Sequence, residues 1–155
     1  SSAASDVYKR QPNWREFAKD TATWNIKKGF GLTIEDMVRA EATRTRIFED
    51  FSEYFRDFDA LLLPAAQVPP FDLSQEWISE IEGIKLDTYI DWMSVCCMIT
   101  VTGLPAISVP GGFTDEGLPV GIQLVGKPNG DLELLKIANA YEAVTKHHAQ
   151  MPELF

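Results

Sequence analysis

The chain has 155 residues, of which 45% are hydrophobic and 24% charged, and this composition excludes a disordered or fibrous protein. No apolar run approaches the roughly 20 residues that cross a bilayer, so no membrane span is predicted. The net charge is −9, and residues 60–155 carry 4 basic against 12 acidic side chains. Such a surface repels phosphate backbones, which argues against a nucleic-acid partner.

The first twelve residues are small, polar and without pattern, and they are predicted to form a disordered arm or to be a sequence-end artefact. The folded part is predicted to cover residues 13–155. The two cysteines, Cys96 and Cys97, are adjacent, so their side chains point apart and a mutual disulfide is not expected. Free thiols and the lack of an export signal predict a cytoplasmic protein.

The clearest helix is predicted to begin near Thr33, with Asp36 completing a variant of the capping box. Apolar residues then recur at spacings of three and four, which indicates one buried stripe along about six turns. The helix is expected to stop between Arg56 and Phe58, because the acidic residues that follow are disfavoured at a helix C-terminus. The stripe consists of Ile34, Met37, Val38, Ile47, Phe48, Phe51, Phe55 and Phe58.

A short apolar run over residues 60–64 ends in a proline and predicts a strand buried on both faces. Residues 65–86 are long for a plain loop, so a short helix over residues 75–81, or a functional flap, is expected there.

A second helix is predicted over residues 88–101 with Asp87 as its N-cap. It is apolar nearly all round, which is typical of a helix inside a larger protein, and Gly103 is expected to end it. Trp92 in this helix is interpreted as a core residue, with pocket lining as the alternative.

Two further strands and a helix are predicted towards the C-terminus. The first strand covers residues 106–109 and is expected to end at Pro110. The turn signal at residues 115–117 predicts antiparallel pairing with a strand over residues 120–125. Asp131 is expected to cap a closing amphipathic helix.

Residues with chemistry are few. Ser108 lies in a strand and outside any nucleophile elbow, so it is interpreted as structural. His147 and His148 are neighbours whose rings diverge, which makes a poor metal pair. Cys96 and Cys97 are interpreted as buried structural thiols, and the carboxylate pairs as exposed or capping groups. The residues alone therefore indicate an α/β segment without its own catalytic site.

Two glycine- and proline-rich runs carry a resemblance to a known family. The first is Gly-Leu-Pro-Ala-Ile-Ser-Val-Pro-Gly-Gly-Phe over residues 103–113, and the second is Gly-Leu-Pro-Val-Gly-Ile-Gln-Leu-Val-Gly-Lys-Pro over residues 117–128. Both resemble the C-terminal portion of amidase-signature enzymes. The run Phe-Asp-Ala-Leu-Leu-Leu-Pro over residues 58–64, the closing helix and Arg44 are also similar to that family.

The resemblance implies the C-terminal part of an α/β/α sandwich with a mixed β-sheet flanked by helices. It also implies amide hydrolysis by a serine nucleophile, activated through a second serine held by a cis peptide and then a lysine. The motifs that carry those groups lie N-terminal to this portion, so no catalytic residue is assigned here and the chain alone is expected to be inactive. No metal and no cofactor is implied.

What the C-terminal portion supplies in the family is part of the wall of the acyl pocket. The matching segments are the loop over residues 64–71 and the helix over residues 89–97, and Trp92 and Cys96 are the substrate-binding candidates. The expected partners are a small-molecule amide and the N-terminal part of the same domain.

Other interpretations remain open. Many family members, including the amide-hydrolysing component of tRNA-dependent amidotransferases, have asparagine where this chain has Thr100. Together with the acidic surface, this favours a stand-alone amidase acting on a small aryl or alkyl amide. The alternatives are a non-catalytic scaffold or binding domain and the amide-hydrolysing component of such an amidotransferase. A homodimer is one of the open oligomeric states.

Overall fold

The computed structural model of the chain describes residues 18–150. The predicted N-terminal arm lies outside these residues. The chain divides into two compact units after Ala42. The first unit contains helix α1 (Asp20–Gly29), which the sequence analysis missed, and the first part of helix α2 (Ile34–Tyr54). In α1 the Lys28 ammonium lies 5.0 Å from the centre of the Trp24 ring.

The start of α2 confirms the predicted capping arrangement. The Thr33 hydroxyl accepts from the Asp36 N–H at 3.1 Å, and the Asp36 carboxylate accepts from the Thr33 N–H at 3.1 Å. The Thr33 N–H and the Thr33 hydroxyl both donate to the Asp36 carboxylate, and together with Arg39 they hold the pKa of Asp36 below its ordinary value. The reciprocal cap is therefore stronger when Asp36 is ionised, and we expect it to weaken as the pH falls through that lowered pKa.

The apolar stripe of α2 is buried only towards its C-terminal end. Phe55, just after the helix, is 4% exposed, whereas Ile34 and Val38 near the start are 77% and 63% exposed. The helix ends at Tyr54, slightly before the predicted stop, and a turn follows in which the Arg56 N–H donates to the Glu53 carbonyl. The stripe therefore marks the helix correctly without being a core face along its whole length.

The second unit is built on a three-stranded antiparallel sheet. Its strands are β1 (Leu61–Pro64), β4 (Ala106–Phe113) and β5 (Pro119–Val125). Strand β5 pairs with β1 on one side and with β4 on the other, which confirms the predicted β4–β5 hairpin. Adjacent residues of β5 point to opposite faces of the sheet, so this central strand contributes to two cores.

Helices cover both faces of the sheet. Val125 packs with Phe55 and with Ile99 of helix α4 (Ser94–Thr102) on one face. On the opposite face Leu124 packs with Leu134 of helix α5 (Asp131–Thr145). The second unit therefore has three layers, helix, sheet and helix, which is the mixed α/β architecture that the resemblance implied. The strand pairs within residues 18–150 are all antiparallel.

The prediction that the first strand is buried on both faces is wrong. Burial alternates along β1, and Leu62 is 57% exposed. The reason is topological, because β1 has β5 as its one neighbour in the described sheet and α5 packs over β4 and β5. An unbroken apolar run does not reveal which of its faces will be covered.

Pro110 does not end β4, contrary to the sequence prediction. The strand continues to Phe113 through a register shift between Pro110 and Gly112, where Gly112 has a φ of 125°. A proline is tolerated here because β4 is an edge strand and a bulge removes the need for its N–H. The Gly-Gly pair thus bends the strand instead of turning the chain outward.

The helix predicted over residues 75–81 is also wrong. A small hairpin, β2 (Glu80–Ile81) and β3 (Ile84–Lys85), occupies this region. Both of its turn residues have positive φ, 51° at Glu82 and 78° at Gly83. This is the backbone of a primed two-residue turn, which matches the twist of the flanking strands, and an acidic residue before glycine was its sequence signal.

Three helix boundaries differ in detail from prediction. Thr88, not Asp87, caps helix α3 (Tyr89–Trp92), through a capping box with Asp91. The predicted single helix is broken at Met93, after which α4 ends at Gly103, as predicted, with a φ of 69°. The N-cap of α5 is Gly130, and Asp131 is its first helical residue, where a carboxylate still favours the positive end of the helix dipole.

Thr102 provides a test of this packing. Its buried hydroxyl donates to the Ile99 carbonyl at 2.6 Å and accepts from the Leu104 N–H at 3.1 Å. We expect Thr102→Val to lower the free energy of unfolding by about 1–3 kcal/mol, because it leaves the buried Leu104 N–H without its acceptor. Urea unfolding followed by circular dichroism measures the change.

Thr100→Val in the same helix is the matched control. The Thr100 side chain donates to the Cys96 carbonyl but belongs to an exposed residue, so water replaces the lost bond. A change within about 0.5 kcal/mol is expected for the control. Equal losses in the two variants would contradict the role assigned to Thr102.

Candidate functional site

The candidate site is a cavity of about 650 Å³ in the second unit, at the end of the sheet where β1 runs into the loop that follows it. Three parts of the chain form its wall: the end of β1 with the loop after it, the start of β5, and the last residue of α3. The lining residues are Leu62, Leu63, Pro64, Ala66, Gln67, Val68, Pro69, Pro70, Phe71, Trp92, Pro119, Val120, Gly121 and Ile122.

No lining residue of this cavity carries a charge, and Gln67 has its only amide side chain. The wall is otherwise aliphatic, proline-rich and aromatic. A charged ligand group would lose its hydration here without gaining a counter-ion, which is costly. The cavity is therefore suited to an uncharged apolar group of small-molecule size.

The aromatic part of the wall is formed by Trp92 and Phe71. Their ring centres lie 5.4 Å apart with the planes at 85°, an edge-to-face contact of the kind that aromatic pairs prefer. Trp92 is half-buried. The loop over residues 64–71 and helix α3 therefore come together, and Trp92 lies in the wall of the cavity.

Gln67 connects the loop to α3 and α4 through hydrogen bonds, and no role was predicted for this residue from the sequence. Its Nε2 donates to the carbonyls of Asp91 and Trp92 at 2.9 and 2.6 Å, and its Oε1 accepts from the Ser94 hydroxyl at 2.9 Å. All three partners are at least 24 residues away in sequence. A glutamine in a proline-rich loop carries no local signal of such long-range bonds.

Cys96 lies beside the loop without lining the cavity. Its Sγ donates to the carbonyl of Ala65, the residue after β1, at 3.3 Å. Both thiols are free, and Cys96 is exposed while Cys97 is half-buried, so the expectation of a buried thiol is wrong for Cys96. The apolar helix is covered on one face only by the described residues, which buries Ile99 and Thr102.

The other candidate groups do not assemble into catalytic machinery. Ser108 lies exposed on β4, paired with Gln123 of β5. His147 and His148 belong to a 3₁₀ turn after α5, and the His147 ring lies 3.8 Å from where a Cβ of Gly112 would be. Within residues 18–150 no three histidine, cysteine or acidic side chains gather to hold a metal ion.

Two lysines of the second unit form ion pairs with carboxylates. Lys127 donates to Asp59 at 2.9 Å and Lys136 to Glu133 at 2.7 Å, both at the surface.

Across the described part of the chain, no helix is both long and apolar enough to traverse a bilayer.

The sequence matches a protein family over most of its length. The family model described as Amidase matches residues 2–135. A glutamyl-tRNA(Gln) amidotransferase subunit of Dehalococcoides mccartyi is 38% identical over 118 residues, which is 76% of this chain and 23% of the relative. The chain thus spans about a quarter of the length of that curated relative.

Solved structures have the same fold. A bacterial aryl acylamidase of the amidase signature family superimposes with a TM-score of 0.72 at 24% identity, over 93% of this chain and 31% of the other. The corresponding glutamyl-tRNA(Gln) amidotransferase subunit from Thermotoga maritima gives a TM-score of 0.57 at 28% identity, over 91% and 29%. These structures show the shared fold, and the match to the family model over residues 2–135 establishes that the chain belongs to the amidase family.

Proposed function

We propose that this chain forms part of an amidase that hydrolyses a small uncharged aryl or alkyl amide to a carboxylic acid and ammonia or an amine. The single observation that carries the proposal is the uncharged, mainly apolar wall of the 650 Å³ cavity. Family membership supports the amide-bond chemistry, and the cavity supports the substrate class, because an apolar pocket selects by shape and burial.

In this proposal Trp92 and Cys96 are the substrate-site residues of the chain. The indole of Trp92 forms part of the cavity wall, where it would contact the acyl or aryl group. Cys96 contributes indirectly, because its thiol donates a hydrogen bond to the carbonyl of Ala65, where the loop that lines the cavity begins. Both residues shape the site and neither takes part in bond cleavage.

The catalytic groups are proposed to come from the part of the amidase domain outside this chain. By resemblance these are a serine nucleophile, a serine in a cis peptide and a lysine. The chain matches about a quarter of its curated relative, which leaves room for them elsewhere in the domain. The proposed partners are that remaining part of the domain and a small-molecule amide, and no nucleic-acid partner is proposed. The free thiols support a cytoplasmic location for the protein.

A second candidate function is that of an amidotransferase component. The observation in its favour is sequence identity, because relatives at 36–43% identity are named as glutamyl-tRNA(Gln) amidotransferase subunits. The two candidates differ in the ligand that the pocket should hold. A free amino acid such as glutamine carries an ammonium and a carboxylate, whereas an aryl amide is neutral.

A binding comparison separates the two candidates. We expect benzamide to perturb the indole N–H of Trp92 in ¹H–¹⁵N spectra of the chain, and L-glutamine at the same concentration to leave it unchanged. We expect Trp92→Ala to weaken benzamide binding about tenfold, since the lost aromatic contact is worth ~1.4 kcal/mol.

Trp77→Ala is the control for that variant, because Trp77 is also half-buried in the segment after β1 but does not line the cavity. Its benzamide affinity should match that of the unmodified chain. Perturbation of Trp92 by glutamine and not by benzamide would overturn the aryl-amide proposal in favour of the second candidate.

A further inference from the structure

The side-chain amide of Gln67 is the feature that carries a further inference. One side chain makes three hydrogen bonds to a stretch of four residues, 91–94, where α3 gives way to α4. Both of its donor contacts go to main-chain carbonyls, those of Asp91 and Trp92. We call this set of three hydrogen bonds the Gln67 clamp.

The clamp lies where the helix is broken. Met93 has a φ of −97° and a ψ of 10°, and the N–H groups of Cys96 and Cys97 both donate to its carbonyl. The helical hydrogen-bond pattern is thus shifted at this point, and the carbonyl of Trp92 receives the Gln67 amide at 2.6 Å. A part-buried carbonyl needs such a donor, so the break and the clamp are linked.

We propose that Gln67 is a positioning residue for the substrate pocket. Its hydrogen bonds hold the Trp92 indole at a fixed distance from the loop, and this distance sets the width of the cavity. This inference rests on the proposed function for the identity of the bound group. Gln67 bonds the main chain of Trp92 itself, and four residues further along the same loop the Phe71 ring contacts the indole at 5.4 Å. The loop and the indole are therefore fixed to each other at two points.

The clamp requires the chemistry of a glutamine. It uses an N–H donor group towards two carbonyl oxygens and an acceptor towards the Ser94 hydroxyl at the same time. A glutamate at this position has the same shape, but its ionised oxygen would face the carbonyls without a hydrogen to donate. A leucine has neither donor nor acceptor.

The difference between glutamate and leucine distinguishes a hydrogen-bonding role of Gln67 from a role in packing alone, because only the first depends on pH in the glutamate variant. In Gln67→Glu, lowering the pH protonates the carboxylate and restores one O–H donor, whereas Gln67→Leu has no group to titrate. The ionisable side chains on α3 and α4 are Tyr89, Asp91, Cys96 and Cys97, and none of them is hydrogen-bonded to the Gln67 side chain. The Asp91 carboxylate accepts from the Thr88 N–H and hydroxyl at 2.8 Å, and the Cys96 thiol bonds Ala65, so each has its own partner away from Gln67.

The experiment records the Trp92 indole N–H cross-peak and the benzamide dissociation constant of the 155-residue chain and its variants at about pH 7.5 and about pH 5. At the higher pH we expect both Gln67→Glu and Gln67→Leu to shift the cross-peak and to weaken benzamide binding about tenfold. The two carbonyls that face the glutamate should raise its pKa above the ordinary value of about 4.3. At the lower pH the glutamate variant should therefore return towards the unmodified chain, and the leucine variant should not.

Gln75→Glu is the matched control, because it places the same substitution at an exposed position of the same segment. It should leave the cross-peak and the affinity unchanged at both pH values. A Gln67→Glu variant that is indistinguishable from the unmodified chain at the higher pH would overturn the proposal, as would glutamate and leucine variants that respond alike to pH.

The two proposals fail separately. If the unmodified chain does not bind benzamide, the proposed substrate class is wrong. The Trp92 cross-peak recorded without ligand still tests whether Gln67 positions the indole, because that readout depends on the clamp alone.

Discussion

The burial of β5 on both of its faces is the constraint on which the second unit depends. Leu124 and Val125 are adjacent and almost fully buried, at 1% and 0% exposure, yet they belong to different cores. Burial of both side chains requires a helical layer on each face of the sheet. At the end of the strand Gly126 allows α5 to approach closely, since a Cβ there would lie 3.1 Å from Leu134. The three-layer arrangement follows from this central strand.

The opposite end of β5 has another use. Its first residues, from Pro119 to Ile122, line the cavity together with the loop after β1. Gly121 allows Ala65, the residue after β1, to approach β5 closely, because a Cβ at position 121 would lie only 3.1 Å from the Ala65 side chain. Gln67 then fixes the loop against the broken helix. The rigid strand thus provides one wall and a hydrogen-bonded loop provides the other, so the shape of the pocket depends on both.

Local signals in the sequence predicted the elements whose formation is local. The Thr33 cap, the turn of the β4–β5 hairpin and the stop at Gly103 depend on residues a few positions apart, and all three are present. Burial of β1 on two faces and a fully buried apolar helix could not be predicted reliably, because burial depends on which other parts of the chain pack against them. The Gln67 clamp joins positions at least 24 residues apart, and no periodicity or motif encodes it.

We propose that this chain supplies part of the substrate-pocket wall of an amidase and none of the groups that cleave the amide. The most direct test is to incubate the purified chain with benzamide and to measure the release of ammonia, with Ser108→Ala in parallel. We expect no release above the uncatalysed background from either protein, while benzamide still perturbs the Trp92 indole N–H. Sustained release by the unmodified chain that is abolished in Ser108→Ala would contradict the proposal, because a nucleophile would then lie among residues assigned here to the sheet.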